Sequence, residues 1–265
     1  MKRSFPAEFV YQILSLLLIV VVIHAFYAGV VRPNATAILM AQAAAIKADP
    51  AAVIETSLWV ILKDWEQEAE VILTLWGIAI MGWKAKLAVA EQRMFETDLL
   101  ELAEGQSILP EDARQYARAL EALPAEDRER LLPQALLTAL GRFRSTRSIQ
   151  DVSSAVDSVC DARGDRLDSE LSMVRYIAWA IPSIGFIGTV RGIGDALSQA
   201  HKAVEGDIAG VTEALGVAFN STLIALLLSI VLMFMLYQLQ LIQERLTLDT
   251  RAYCERKLIQ HLQVP

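Results

Sequence analysis

The side chains best placed to do chemistry in this 265-residue chain are hydroxyls set into helical faces of glycine and alanine. In IPSIGFIGTVRGIGDAL, Ile181 to Leu197, Gly185, Gly188, Thr189 and Gly192 recur at i, i+3, i+4 and i+7, which is one stripe of a helix. In VTEALGVAFNSTLIALLLSIVL, Val211 to Leu232, a second stripe carries Ala214, Ala218, Ser221 or Thr222, Ala225 and Ser229. In water each glycine would weaken a helix by about 1 kcal/mol relative to alanine. In a bilayer, small residues let helix backbones approach closely, and Gly188 with Gly192 forms a small-xxx-small pair. A hydroxyl held in such a packing face can hydrogen-bond water, an ion's hydration shell or a carboxyl group where few other polar groups exist.

What the stripes lack is as informative. Moving ions by way of a protonatable group inside a membrane calls for an intramembrane carboxylate. None lies centrally in the apolar segments: Asp195, Asp207 and Glu213 stand near or beyond their outer ends. The chain alone is therefore not expected to complete a proton relay, and a partner must supply the acid. Arg191 has three placements open to it: snorkelling outward, pairing with Asp195 or Asp207, or standing at an ion entrance. His24, within the first apolar run, either works as an intramembrane ionisable group or bonds a neighbouring helix near the interface. No nucleophile–base pair or metal-ligand cluster is present, which disfavours an enzyme and predicts no metal and no cofactor. Cys160 and Cys254 have neither CxxC nor Cys/His spacing and are expected to be reduced core thiols. Arg163-Gly164-Asp165, the Asn220-Ser221-Thr222 glycosylation triplet and the glycines of GFIGTVRGIG lack the context those motifs need.

The elements that must position these groups are helical. Hydrophobic residues make up 54% of the chain, which fits a multi-span membrane protein, and the net charge of −7 argues against a nucleic-acid partner. The expected fold is all-α and polytopic, with four transmembrane helices and cytoplasmic helical extensions. Residues 1–31 form a cytoplasmic tip and first span: Val10 to Val31 holds no Asp, Glu, Lys or Arg, is longer than a signal-peptide core, and is read as retained despite Ala35-Thr36-Ala37. Lys2 and Arg3 place the N-terminus in the cytoplasm. Residues 32–70 form an outer amphipathic segment with Pro33 and Pro50 as breakers, its charges at Lys63, Asp64, Glu66, Glu68 and Glu70 too dense for lipid. Residues 71–83 are the second span, flanked by Lys84 and Lys86. Residues 84–175 form a cytoplasmic helical domain of mixed charge, with helices over Leu87 to Ala103 (stopped by Gly105), Glu111 to Leu123 and Pro133 to Leu140, and one from near Ser148 leading into the third span. Residues 176–237 hold the third and fourth spans, and 238–265 a cytoplasmic helical C-terminus.

The paired segments resemble the two pore helices of the MotA/TolQ/ExbB ion-channel family. The resemblance rests on Pro182, Gly185, Gly188-Thr189-Val190 and Gly192, then Glu213-Ala214-Leu215 followed by small residues, in the family's order and separated by a short outer loop. It covers the last ninety or so residues closely, and the first 170 only in topology, which is MotA-like. The AFNSTLIALLLS run also looks like ZorA, without ZorA's long cytoplasmic tail. The resemblance implies a homopentamer in the bacterial inner membrane, around a dimeric single-span MotB/ExbD/ZorB-like protein whose aspartate carries the ion. Thr189, Ser221 and Thr222 would line the pathway, Gly185, Gly188, Gly192, Ala214, Ala218 and Ala225 would pack it, and Arg191 would be the candidate ion entrance. Flux would turn the five-fold ring against its two-fold partner. The family commonly has a threonine where ungapped matching puts Ala218, so which fourth-span hydroxyl faces the pore is left open. Two other classes are a membrane scaffold, which predicts no ion dependence, and a secondary-transporter subunit, which would show inverted repeats or broken helices.

Overall fold

The computed structural model describes residues 7–48, 57–100, 102 and 106–264. The Lys2/Arg3 tip, the Pro50 breaker and the Ala103 to Gly105 helix end lie outside them. Among the described residues the chain is all-α: it has no strand, and one isolated bridge joins Ile108 to Leu262. Four helical stretches are long and apolar enough to cross a membrane: Ala7–Ile46, Trp65–Glu96, Ile149–Ser198 and Ala209–His261. By contacts the chain divides into two compact units, Met1–Met81 with Met173–Leu236, and Gly82–Ser172 with Tyr237–Pro265.

The first unit opens with α1 (Ala7–Phe26), whose Leu, Val and Ile cover every side and of which nothing is buried within the chain. A helix apolar all round suits hydrocarbon rather than water. A π turn, Tyr27–Val31, follows, and α2 (Arg32–Ala48) continues the same helical rod past Pro33. A short α3 (Leu58–Ile61) precedes α4 (Trp65–Gln92). α4 begins before the apolar run, with Glu66 and Glu68 in its first turn, where the helix dipole favours negative charge. α1 is tied to α4 where the Trp76 indole donates to the Gln12 carbonyl at 3.0 Å and the Tyr11 hydroxyl to the Ala79 carbonyl at 3.2 Å.

In the second unit, Gln92 passes into a 3₁₀ turn, Arg93–Glu96, which ends the helix well short of Ala103. Then come α5 (Ala113–Glu121), α6 (Ala125–Arg128), α7 (Leu131–Thr146) and α8 (Ile149–Glu170). α7 runs straight through Gly141 and stops at Arg147, which takes the left-handed conformation and donates its N–H to the Phe143 carbonyl. Ser148 caps α8 by accepting from the Asp151 N–H at 3.2 Å. Leu132, Leu136, Leu140 and Phe143 of α7 repeat at helical spacing and meet Val152, Val156 and Cys160 of α8, with Tyr253, Cys254 and Leu258, in one apolar core. Both cysteines are free and buried.

The first unit is completed by most of α9 (Ser172–Ser198), which follows α8 after a turn at Leu171, by α10 (Ala200–Val204) and by the first part of α11 (Ala209–Lys257). Pro182 stands inside α9, so the Ala178 carbonyl loses the N–H that would normally satisfy it. The Ser229 hydroxyl of α11 donates to that carbonyl at 3.3 Å. A serine on one helix thus mends the gap that a proline opens in the next. The α11 pattern runs on through Lys257 and a 3₁₀ turn at Ile259–His261.

Candidate functional site

α9 and α11 meet along their small residues. A methyl group built on Gly192 would lie 2.6 Å from the Ala214 carbonyl oxygen and 2.8 Å from Ala218 Cβ; one on Gly188 would lie 2.5 Å from Ser221 Cβ; one on Gly185, 2.5 Å from Ala225 Cβ. Real Cβ atoms do not come so close, so glycine is required for this backbone approach. Ala214, Ala218 and Ala225 are all buried in the contact.

The close approach brings two hydroxyls together. Thr189 and Thr222 are directly hydrogen-bonded to each other, and both reach the same two carbonyls. Thr189 Oγ1 lies 3.1 Å from both the Gly185 and Ala218 oxygens, and Thr222 Oγ1 lies 3.3 and 3.4 Å from them. Two hydroxyl protons are shared among four oxygens, leaving lone pairs and a rotatable donor on a half-buried surface. Such a pair can turn a donor toward an incoming water or carboxylate at little conformational cost. Ser221 points elsewhere. Its hydroxyl donates to the Val217 carbonyl at 2.8 Å, is fully buried against Gly188, and accepts from Gln67 Nε2 at 3.5 Å. Successive residues on a helix are about 100° apart, so Ser221 and Thr222 cannot share one face.

Behind this contact lies a polar cluster that the sequence reading placed in solution or on a membrane surface. Glu66, Gln67, Glu68, Glu70 and Thr74 of α4 are buried inside the unit. Glu66 takes the Arg191 guanidinium in a two-point bond, 2.7 Å from Nε and 2.9 Å from Nη2, a geometry that arginine's planar fork favours. Arg191 also lies 3.8 Å from Asp195, 3.9 Å from Asp64 and over the Trp65 ring at 5.9 Å. Burial holds the Asp64 carboxyl above its usual range, although Lys63 and Arg191 stand beside it. Asp207 is occupied elsewhere, accepting from the Ala209 N–H at the start of α11. Glu68 pairs with both His24, at 2.7 Å, and Arg32. Eight residues span about 2.2 turns of α-helix, which would set His24 and Arg32 roughly 80° apart. The wider π turn between them takes up the difference, and both reach one carboxylate.

The structure thus brings Gly185, Gly188, Thr189, Gly192, Ala214, Ala218, Thr222 and Ala225 into one interface, sets Ser221 on its inner side, and directs Arg191 to Glu66. Glu66 and the residues around it were missed because charge density alone looks like solvent exposure. The available signal was the spacing of Glu66, Glu70, Thr74 and Gly77, one face of a helix continuous with the apolar run. Among the described residues no group of three or more His, Cys, Asp or Glu side chains is arranged to hold a metal ion.

No curated protein and no solved structure matches the chain significantly. The family model of the MotA/TolQ/ExbB proton channels does match, over residues 127–251, a stretch that contains α9, the start of α11 and therefore the whole of the glycine–alanine contact with its threonine pair. With four helices able to span a bilayer, the chain is a multi-pass membrane protein, and the two helices that meet at Thr189 and Thr222 carry the signature of the MotA/TolQ/ExbB proton channel family.

Proposed function

We propose that this chain is the channel-forming subunit of an ion-motive-force-driven motor in the bacterial inner membrane, with both termini in the cytoplasm. Five copies surround two single-span helices of a MotB/ExbD/ZorB-type partner, whose aspartate carries the ion. The observation that carries this reading is the Thr189–Thr222 pair, a rotatable polar group set in an otherwise tightly packed interface of a channel-family protein. Neither threonine is fully buried, so the pair is open to a further helix. A partner carboxylate arriving there would accept from the hydroxyls when ionised and release them when protonated. Ser221 stands about 100° round α11 from Thr222, against Gly188 and Gln67. Each charge crossing the membrane releases about 2.3 kcal/mol per 100 mV. That is enough to bias steps between alternative packings of similar energy and so turn five-fold against two-fold symmetry.

Thr189→Val and Thr222→Val, equal in size to the native side chains but without the donor, are expected to assemble normally with the partner and to lose ion flux into proteoliposomes. Ser221 and Thr222 changed together to Ala should lose it too. Wild-type flux in all three would sink the channel assignment. Native mass spectrometry of the complex should give five copies to two, and a stable lone monomer would favour a scaffold.

A further inference from the structure

Glu70 stands one turn beyond Glu66 on α4, is completely buried, and has no hydrogen-bond partner for either carboxyl oxygen among the described residues. The basic side chains nearby are committed to other acids: Arg191 of α9 to Glu66, and Arg32 with His24, on the first helical rod, to Glu68. The titratable groups around Glu70 are Glu66 on its own helix and Tyr27 on the first, the latter within electrostatic reach of both Glu68 and Glu70. From α11 the Ser221 hydroxyl meets Gln67, three residues before Glu70. Two further polar atoms in this region are buried and unsatisfied, the Tyr27 hydroxyl and Gln67 Oε1.

An ionised carboxylate here would be shielded from bulk solvent, without a counter-ion or donor among the described residues, and would have a second carboxyl group, Glu66, one turn away. A buried acid in that position takes up a proton instead. Neutral, it becomes a donor, and Gln67 Oε1, one turn earlier on the same helix, is an acceptor still without a bond. Gln67 in turn leads to Ser221 at 3.5 Å and so to the back of the helix that carries Thr222.

We infer that Glu70 is a proton-binding site belonging to this chain itself, protonated in the arrangement seen here and exchanging its proton with water that reaches Gln67 and Ser221 during ion flow. Release leaves the carboxylate and passes one proton to water; uptake reverses it, with no other reactant. The channel thereby holds an acid in addition to the one expected from its partner. The exchange rests on the channel reading, whereas the bound proton does not, and the two are measured separately.

Infrared spectra of the full chain in lipid nanodiscs at neutral pH test the bound proton. A carboxylic-acid carbonyl band is expected in the wild type and in Glu213→Gln, and lost in Glu70→Gln; matching wild-type and Glu70→Gln spectra in that region would overturn the inference. Should Glu70→Gln fail to assemble, Glu70→Asp keeps the acid and must keep the band, and its absence is equally fatal. Ion flux through the chain co-reconstituted with its single-span partner tests the exchange. Glu70→Gln is expected to lower it by about 100-fold, the scale of losing a positioned proton-transfer group, and Glu70→Asp to restore most of it. Flux lost in Thr189→Val but intact in Glu70→Gln overturns the exchange while leaving the channel reading standing. Flux intact in both overturns the channel reading and the exchange together, and the infrared band then decides the bound proton alone.

Discussion

Replacing Gly192 by alanine tests the contact between α9 and α11 where α9 lies directly against the α11 backbone. The new Cβ would meet the Ala214 oxygen at 2.6 Å, the Ala218 nitrogen at 2.7 Å and Ala218 Cβ at 2.8 Å, where ordinary contact begins at 3.4 Å. Two of these are backbone atoms and the third is a methyl with no rotamer to change, so the helices themselves must part by most of an ångström. Overpacking of this kind costs about 1–3 kcal/mol. Gly194, two residues on, is the matched control, because a Cβ there meets nothing within 4 Å. Both substitutions gain the same helix propensity, about 1 kcal/mol, so it cancels between them. The two variants should therefore differ by about 1–3 kcal/mol, Gly194→Ala at or above wild-type stability and Gly192→Ala below its partner. Unfolding of the purified chain in mixed micelles with rising SDS measures the difference. Separating the helices should also part Thr189 from Thr222, so Gly192→Ala is expected to lose ion flux while Gly194→Ala keeps it. Equal stability for the two would refute the reasoning that glycine is present for close packing.

Three further outcomes follow from the buried charges, the thiols and the π turn. Arg191→Met strands Glu66 without a counter-charge and is expected to destabilise by about 3–5 kcal/mol, with Glu66→Met in the same chain recovering most of the loss; the double-mutant cycle in SDS unfolding checks it, and additive losses would show that the two do not act as a pair. Burial pushes the Cys254 thiol up to about 12, above its unfolded value near 8.5. The neutral thiol is favoured by folding, so its contribution is complete below about pH 8.5 and is lost as pH rises toward 12. Maleimide should accordingly label Cys160 and Cys254 only after denaturation, and rapid labelling of the native chain at neutral pH would contradict their burial. Deleting Gly29, which lies in the π turn with nothing within 4 Å of its Cβ position, should leave α1 helical by circular dichroism while weakening the first rod's hold on α4, seen as easier SDS unfolding. Unchanged unfolding would show the π turn to be dispensable.

Periodicity and apolar run length made most of the helices legible, because both depend only on neighbours in the chain. The α9 and α11 stripes were visible for the same reason: Gly185, Gly188 and Gly192 share a face whatever they pack against. Which of Ser221 and Thr222 meets Thr189 was not legible, since it depends on how α11 is rotated against its neighbour. Nor was the fate of the charges near α4's start. Glu66 finds Arg191 125 residues away and Glu68 finds His24 44 residues away, and each looks like a solvated charge until its partner is known. The early end of α4 at Gln92 and the continuation of α7 past Leu140 through Gly141 show local propensity yielding to tertiary packing.

The π turn at Tyr27–Val31 is what an α-helix becomes when it absorbs one residue too many while both its ends are held. Its consequence is a phase relation. Upstream of it, the rod is set by the bonds of Tyr11 and Gln12 to α4; downstream, by Arg32 on Glu68. Remove one residue and everything after the turn advances by about 100°, so Arg32 leaves Glu68 and only one of the two anchors can be satisfied. The first helix is thus keyed to the second at two depths, and a one-residue change in its length acts as a rotation rather than a translation.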